Sequence, residues 1–214
     1  MSEPGAPVDR ARYWDEYYAA ASLARRPLPS QFAAFVAGEL DSPRHVVELG
    51  CGTGRDSVFF ASYGHRVTGV DASEQAVKAC RELSAALGEQ ASFLQSSIDD
   101  PALPSRLELD GGPVVVYARF FLHAITEDEE RALLELAASI TTPGDLFAVE
   151  YRTVRDLSGT KVTGTHYRRF VSPATVQARA LARGFDVGYA VEGFGFAKYK
   201  QDDAYVARTL FVKR

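Results

Sequence analysis

The chain has 214 residues, of which 46% are hydrophobic and 24% charged, a length and composition sufficient for one globular α/β domain. Its formal net charge at pH 7 is −4, and a surface that is acidic overall is unsuited to neutralising phosphates, so no nucleic-acid partner is expected. No segment reaches the ~18 apolar residues needed to span a bilayer, so no membrane partner is expected either.

The first 40 residues are predicted to form an N-terminal helical cap, which precedes the main domain at residues 41–214. A helix is predicted from 9 to 24, because aromatic residues at positions 13, 14, 17 and 18 fall on one helical face. The segment from Arg25 to Pro29 ends this helix. Ser30 is a predicted N-cap of a second helix, with Phe32 and Val36 on its apolar face.

Predicted strands alternate with predicted helices in the rest of the chain. Apolar runs indicate strands at 45–49, 66–70, 91–95, 113–117 and 145–152, and helices are predicted at 56–63, 73–87 and 127–140. Ser172-Pro173 begins a last helix, which ends at Gly184. Segments 185–191 and 205–213 follow without a helix between them, which predicts a mostly parallel sheet with an antiparallel C-terminal hairpin.

The cysteine content and the N-terminal segment bear on the compartment. Cys51 and Cys80 are the two cysteines, and their spacing fits neither a disulfide framework nor a zinc site. Residues 1–9 lack the apolar core of a signal peptide. We therefore expect reduced thiols and a cytoplasmic location.

A glycine-rich segment follows the first strand of the alternating region. Glu48-Leu49-Gly50-Cys51-Gly52-Thr53-Gly54 lies between a predicted strand and a predicted helix. Glycines permit a tight turn and a close ligand approach, and the helix N-terminus offers free N–H groups. In the dinucleotide fingerprint G-x-G-x-x-G the third glycine would stand at Arg55. The sequence therefore favours a cofactor without a pyrophosphate group over a dinucleotide.

An acidic residue ends the next strand. Asp71 lies 21 residues after Gly50 (71 − 50) and is positioned to accept hydrogen bonds from both ribose hydroxyls of a cofactor. This arrangement is common to sites for NAD and for S-adenosylmethionine, so it does not by itself choose between them.

Three segments together resemble the class I S-adenosylmethionine-dependent methyltransferases: VVELGCGTGRD at 46–56, VTGVDAS at 67–73 and PVVVYARFFLHAI at 113–125. The first is most similar to the small-molecule branch that includes tellurite-resistance and thiopurine methyltransferases. Residues 13–18, YWDEYY, are similar to the helix that covers the cofactor in that branch. The resemblance extends over residues 10–152 and implies a seven-stranded Rossmann-like fold with S-adenosylmethionine as cofactor.

The resemblance also implies the cofactor-binding residues. Glu48 would orient the glycine loop, Asp71 would hold the ribose and Ala72 would lie beside the adenine. Ser97 stands where the family frequently has an acid, so either Ser97 or Asp99 would meet the adenine amino group. The full implied set is Trp14, Tyr18, Glu48, Gly50, Cys51, Gly52, Gly54, Arg55, Asp71, Ala72, Ser97, Ile98 and Arg119.

Candidate catalytic and acceptor-binding residues lie near the ends of the fourth and fifth strands. Arg119 would bind the cofactor carboxylate or an anionic acceptor. His123 is a candidate general base, or packs against the cofactor, and His166 is a second candidate base or a surface-loop residue. A polar acceptor pocket is predicted from four residues: Tyr151, Arg152, His166 and Arg169.

The predicted function is methyl transfer from S-adenosylmethionine to a small-molecule acceptor, at oxygen or nitrogen, by in-line displacement. The protein would mainly orient the two reactants, and a base is needed only for an acceptor that is protonated in its ground state. No metal is expected, and either a monomer or a homodimer is compatible with the sequence. A non-catalytic cofactor-binding protein and a nicotinamide-dependent oxidoreductase are the alternatives.

Overall fold

The computed structural model describes residues 10–19, 27–156, 169–198 and 202–214. Within these residues the helices are α1 (Arg10–Ala19), α2 (Gln31–Gly38), α3 (Arg55–Ser62), α4 (Glu74–Leu87), α5 (Leu103–Arg106), α6 (Glu127–Ile140) and α7 (Pro173–Leu181). The strands are β1 (His45–Leu49), β2 (Arg66–Asp71), β3 (Ala91–Gln95), β4 (Val114–Arg119), β5 (Leu146–Arg152), β6 (Phe185–Gly193) and β7 (Val206–Lys213). A short 3₁₀ helix spans Val154–Asp156.

The seven strands form one sheet in the order β3-β2-β1-β4-β5-β7-β6. Strands β1 to β5 pair in parallel, and β7 is antiparallel to both β5 and β6. The predicted parallel sheet with an antiparallel C-terminal pair is therefore confirmed. However, β7 lies inside the sheet and β6 forms its edge. In this order the carboxyl ends of β1, β2 and β4 meet at one edge, where open α/β folds bind ligands.

Helices cover both faces of the sheet and produce two main apolar clusters. One face packs against α6 and α7 through residues such as Leu133, Phe147 and Val176. The other packs against α2 and α3 through Phe32 and Phe60. Because successive side chains of a strand point to opposite faces, the parity of each position decides which cluster it joins.

Side-chain caps define the starts of several helices where the sequence predicts them. Ser30 accepts a hydrogen bond from the Ala33 amide at the start of α2, and Thr126 forms a capping box with Glu129 at the start of α6. The helix predicted from 9 to 24 is observed as α1 over Arg10–Ala19, and its predicted ends at 9 and 20–24 lie outside the described residues. None of the helices within the described residues has the length and apolar character required to cross a membrane.

Candidate cofactor and acceptor site

The glycine loop (residues 50–54) connects β1 to α3 and is held against β2. The amides of Gly50 and Cys51 both donate to the Val70 carbonyl, at 2.8 and 3.1 Å. Gly50, Gly52 and Gly54 have φ angles of 73°, 56° and 78°, in the left-handed region that favours glycine. A Cβ at position 50 would lie 2.5 Å from a ring carbon of Phe121, so close packing requires glycine there as well.

Glu48 connects the strand before this loop to the helix after it. Its side chain is buried on the α2/α3 face of the sheet and accepts a hydrogen bond from the Ser57 hydroxyl in the first turn of α3. Burial raises the pKa of Glu48 well above its usual value, and the nearby Asp56 carboxylate raises it further. Glu48 therefore fixes the two ends of the loop relative to each other.

Asp71, the last residue of β2, binds the loop and the following helix together. Its Oδ2 accepts from the Gly52 amide at 2.9 Å, and its Oδ1 accepts from the Ser73 amide at 3.0 Å. Burial raises the pKa of Asp71 to about 6, although these two hydrogen bonds oppose the shift. The neighbouring Ala72 is exposed, which leaves its edge open to a planar ligand group.

Helix α1 lies across the carboxyl ends of β1, β2 and β4. At one end Arg10 forms an ion pair with Glu129 of α6 at 2.7 Å. Farther along, Asp15 accepts a hydrogen bond from Ser73, the N-cap of α4, at 2.5 Å. We call the space bounded by the glycine loop, Asp71 and α1 the cofactor cleft.

Two aromatic residues of α1 face this cleft. The Tyr18 hydroxyl lies 2.9 Å from the position that a Cβ would occupy at Gly52, so Tyr18 sits directly over the glycine loop. Burial and the Asp71 carboxylate raise the pKa of Tyr18, which keeps its hydroxyl protonated. Trp14 stacks on Tyr18 with ring centroids 5.8 Å apart. The structure thus brings Tyr18 to the loop, with Trp14 stacked behind it on the same helix.

The three residues considered for the adenine lie at the end of β3. Ser97 is exposed and its hydroxyl donates to Asp99, so these two candidates are hydrogen-bonded to each other. Ile98 is buried in the core on the α6/α7 face. Ile98 and Asp99 also line a cavity of about 310 Å³ that extends between α5 and the outer side of α6.

The cysteine in the loop packs inward. The Cys51 and Cys80 sulfur atoms are 3.7 Å apart, and the Cys80 thiol donates to the Gly52 carbonyl at 3.1 Å. Contact with Cys80 and burial raise the pKa of Cys51 well above its usual value. Both cysteines are free thiols in this structure, as the sequence predicts. Next to the loop, Arg55 pairs with Asp56 at 3.3 Å.

A charged cluster occupies the ends of β4, β5 and β7, which are adjacent in the sheet. Arg119 pairs in register with Glu150, and Glu150 with Arg208. Nε of Arg119 donates to Glu150 Oε1 at 2.8 Å, and Nε of Arg208 donates to Glu150 Oε2 at 2.6 Å. All three side chains lie on the α2/α3 face, and we call them the arginine cluster.

Phe120 follows Arg119 and has an unusual backbone conformation. Its φ angle is 56°, which is uncommon for a residue with a bulky side chain. The Phe120 amide donates to the Glu150 carbonyl at 2.7 Å, which holds this conformation. Its ring lies 4.2 Å from Cζ of Arg119 and 5.6 Å from Cζ of Arg152.

His123, the predicted base, is buried beside Phe120 with its ring edge-on at 5.2 Å. Its Nδ1 accepts a hydrogen bond from the Arg152 amide at 3.3 Å. In a neutral imidazole this assignment leaves the proton on Nε2, so Nε2 is a donor in the ground state. The histidine is therefore tied to the end of β5.

The structure does not bring the predicted acceptor-pocket residues together. Tyr151 is fully buried on the opposite face of the sheet, in the core with α6 and α7. Arg152 is also buried, and its guanidinium bonds Asp156 at 2.6 Å and Asp202 at 2.5 Å. Both terminal nitrogens of Arg152 are therefore already paired with carboxylates of the protein.

The last two predicted pocket residues are placed as follows. Arg169 donates to Glu130 of α6 and, at 3.2 Å, to the Leu122 carbonyl, which anchors the segment before α7. His166 lies outside the described residues. Within the described residues, no group of three or more His, Cys, Asp or Glu side chains is arranged to hold a metal ion.

Sequence reasoning missed Glu150 and Arg208 as a pair. The sequence contained a signal, because each is a charged residue within a strand that is mostly apolar and buried. Buried charges in such strands are costly unless they are paired, so two of opposite sign in two buried strands indicate a partner relationship.

The comparisons with known proteins agree with this geometry. Residues 46–144 match the family model described as a methyltransferase domain. No match was found among curated proteins. Among solved structures, the CcbJ methyltransferase from Streptomyces caelestis aligns with a TM-score of 0.71 at 20% identity, over 96% of this chain and 99% of that one. A structure concerned with the conversion of a disulfide bond into a thioacetal group during echinomycin biosynthesis also has a TM-score of 0.71, at 19% identity and with 95% and 92% coverage.

A third similar structure was solved with a ligand. Magnesium protoporphyrin IX methyltransferase from Synechocystis, with bound SAH (S-adenosylhomocysteine), has a TM-score of 0.64 at 16% identity, over 99% of this chain and 90% of that one. At these identities the structural likenesses establish the fold. The match at 46–144 covers the glycine loop and Asp71. Residues 46–144 thus match a methyltransferase domain, and the whole chain has the fold of the similar methyltransferase structures.

Proposed function

We propose that this protein is an S-adenosylmethionine-dependent methyltransferase that acts on a small-molecule acceptor, at oxygen or nitrogen. One observation carries the proposal. The cofactor cleft, over β1 and β2, adjoins a compact group of aromatic and arginine side chains over β4, β5 and β7. Such a group offers contacts to a molecule of limited size. The names of similar structures, which include a glycopeptide N-methyltransferase and a protoporphyrin methyltransferase, support acceptors other than nucleic acids.

The residues of the cleft fit S-adenosylmethionine. The Phe121 and Tyr18 side chains come within 3 Å of the Cβ positions of Gly50 and Gly52, so glycine at these positions lets both side chains close on the loop. Asp71 ends β2 with a carboxylate that suits a pair of ribose hydroxyls. The aromatic rings of Tyr18 and Trp14 suit the cationic sulfonium.

When bound, S-adenosylmethionine supplies an electrophilic methyl group on a positive sulfur. The chain's own residues have the task of orientation and of excluding water. Helix α1 covers the cleft through its contacts with α4 and α6, and the glycine loop fixes the floor. These elements restrict the reactants to one line of approach.

Proton removal is the second task, and only for a protonated acceptor. His123 remains a candidate base, with the proviso that its Nδ1 is occupied by the Arg152 amide. In this arrangement Nε2–H would orient the acceptor by donating a hydrogen bond, and His123 would accept a proton only once the Arg152 amide releases Nδ1. His166 remains a proposal from the sequence. An acceptor that reacts as an anion requires neither residue.

Isothermal titration of the purified protein with SAH tests the proposed function. We expect micromolar binding to the wild type and a loss of roughly 1–3 kcal/mol for Asp71→Ala, which removes a charge-assisted hydrogen-bond partner. Lys78→Ala on the outer side of α4 serves as the control. No binding to the wild type at millimolar SAH would contradict the proposal.

A methyl-transfer assay with a panel of phenols, carboxylates and amines then tests the acceptor class. Transfer to at least one compound is expected. Tight SAH binding without any product from the panel would favour the non-catalytic alternative.

A further inference from the structure

We propose that the acceptor carries an anionic group on a planar ring, and that Arg119 binds this group, with Glu150 and Arg208 as its positioning residues. This inference rests on the proposed function, because it assigns the acceptor class of the same site. It is carried by the charge balance of the arginine cluster, the unused donors of Arg119 and the aromatic residues next to them.

The charge balance comes first. Two guanidinium groups share one carboxylate, which gives the cluster a formal charge of +1. The Glu150 side chain is fully buried, while the side chains of Arg119 and Arg208 are 17% and 8% exposed. A positive charge that is this strongly desolvated gains from an anionic partner.

Arg119 has donors left for such a partner. Its Nε is used by Glu150, but among the described residues none accepts from its two terminal nitrogens. The Arg119 side chain is 17% exposed, and its two terminal nitrogens are not fully buried. They therefore border accessible space. A guanidinium presents its terminal N–H groups in the planar arrangement that matches a carboxylate.

Arg152 and Arg208, at the same end of the sheet, have fewer unused donors than Arg119. Arg152 bonds both Asp156 and Asp202, and the local balance there is negative. Arg208 uses Nε for Glu150 and one terminal nitrogen for the Phe196 carbonyl at 2.5 Å. Of Arg119, Arg152 and Arg208, Arg119 therefore has the most donors left for a ligand.

Aromatic side chains flank the cluster. The Phe120 ring lies 4.2 Å from Cζ of Arg119, and the Phe196 ring 5.1 Å from Cζ of Arg208. Both rings pack against the same small cluster of Ala197, Ala204 and Val206. Flat apolar surfaces next to a cation suit a planar acceptor with an anionic substituent, such as an aromatic carboxylate.

The backbone of Phe120 supports a role for this ring. A left-handed φ of 56° is strained for a residue of this size, and such conformations concentrate at functional sites. The strain sets the direction of the ring at the end of β4. The hydrogen bond from the Phe120 amide to Glu150 couples that direction to the arginine cluster.

The carboxylate of the cofactor is the other possible anion for Arg119. The placement favours the acceptor, because Arg119 is bonded toward β5 and β7, whereas Asp71 and the glycine loop are bonded toward β2 and α4. The two sources differ in a measurable way. A cofactor contact would reduce SAH affinity when Arg119 is changed, and an acceptor contact would not.

The test is an NMR titration of SAH-saturated protein with benzoate and with its neutral analogue benzamide. We expect benzoate to bind the wild type at least tenfold more tightly than benzamide. Arg119→Gln should remove this preference while SAH affinity stays within twofold, and Arg119→Lys should retain part of it. Arg131→Gln, at an exposed ion pair on α6, is the matched control and should leave both values unchanged.

Several outcomes would overturn the inference. Equal binding of benzoate and benzamide to the wild type contradicts it without requiring any variant to fold. A variant Arg119→Gln that loses SAH affinity but keeps the benzoate preference assigns Arg119 to the cofactor instead. Failure of the wild type to bind SAH contradicts the proposed function, whereas SAH binding without benzoate preference contradicts only the acceptor assignment.

Discussion

Asp71 has a structural role in the glycine loop and a proposed role in ribose binding, and its ionisation connects the two. Its pKa of about 6 lies above the usual 3.8 because burial penalises the charged form. The folded state therefore takes up a proton more readily than the unfolded state. The contribution of Asp71 to the stability of the apoprotein is fully present below the pKa that Asp71 has in the unfolded chain. This contribution is lost as the pH rises through about 6, the pKa in the folded protein.

Cofactor binding should depend on pH in the opposite direction. Ribose hydroxyls donate to the carboxylate, so protonation of Asp71 removes the acceptor that binding requires. We expect the Kd for SAH to rise by roughly tenfold from pH 7.5 to pH 5, as follows from a pKa of about 6 in the free protein. Isothermal titration across this range measures the change.

Asp71→Asn is the control for this pH dependence. The amide does not titrate, so the variant should bind SAH weakly at every pH, and its Kd should not change between pH 5 and pH 7.5. A wild-type Kd that is constant between pH 5 and pH 7.5 would contradict the assignment of Asp71 to the ribose.

The sequence did not show on which face of the sheet some residues of β5 lie. Glu150 and Tyr151 are neighbours, and strand alternation places one in the arginine cluster and the other in the opposite core. In a strand buried on both faces, hydrophobicity does not distinguish the faces.

The partners of Arg152 and Arg169, which include Asp202 and Glu130, are 50 and 39 residues away in the chain. Only the folded structure shows that these arginines are already paired.

At the scale of elements, the glycine loop should resist substitution for two separable reasons. Gly52→Ala introduces a Cβ both at a φ of 56° and 2.9 Å from the Tyr18 hydroxyl. We expect it to lose more stability than backbone strain alone, which costs about 1–2 kcal/mol for a left-handed residue, and to weaken SAH binding. Urea unfolding and titration with SAH give the two values.

A second glycine separates strain from crowding. Gly88 ends α4 with a φ of 71° but has no atom within 4 Å of its Cβ position. Gly88→Ala should therefore show the strain alone and leave SAH binding intact. Adding Tyr18→Phe to Gly52→Ala should recover part of the lost stability. If the two alanine variants were equally destabilised, the contact between Tyr18 and the loop would be excluded.

Helix α1 should control how fast the cofactor leaves. Arg10→Ala breaks the ion pair with Glu129 that fixes the start of α1 over the cleft. We expect the SAH dissociation rate to increase several-fold with a smaller change in the association rate. Stopped-flow fluorescence, with Trp14 as the reporter, measures both rates.

The same helix offers a matched control for this experiment. Arg12 pairs with Glu16 on the exposed side of α1, four residues along the helix. Such exposed pairs contribute about 0.3–0.5 kcal/mol, so Arg12→Ala should leave the dissociation rate unchanged. Equal effects of the two substitutions would mean that α1 acts through its own helicity and not through its contact with α6.

Most element boundaries were predictable because their signals are local. Ser73 and Thr126 cap the helices that follow them, and β3 matches its predicted range of 91–95. The four-residue α5 and the 3₁₀ helix at Val154–Asp156 were missed, since such short elements carry too few periodic positions. The insertion of β7 between β5 and β6 depends on pairing between distant segments, which local patterns do not encode.

At the scale of the whole molecule, the sheet order divides the proposed reaction between two sides. Strands β1 and β2 carry the glycine loop and Asp71, while β4, β5 and β7 carry the arginine cluster. Helix α1 extends from α4 to α6 and so covers the boundary between the sides. A ligand in the cofactor cleft would contact elements that are far apart in the chain, so its binding should stabilise the fold as a unit.

A thermal unfolding experiment measures this coupling. SAH at 100 times its Kd should stabilise the native state by about 2.7 kcal/mol, which corresponds to an increase in Tm of roughly 5–10 °C for a chain of this size. NAD at the same concentration should cause no increase, because Arg55 replaces the third glycine of the dinucleotide motif. Asp71→Ala should reduce the increase at a fixed SAH concentration. An increase with NAD and none with SAH would instead identify a nicotinamide cofactor, and the glycine loop would have to be interpreted as a pyrophosphate site.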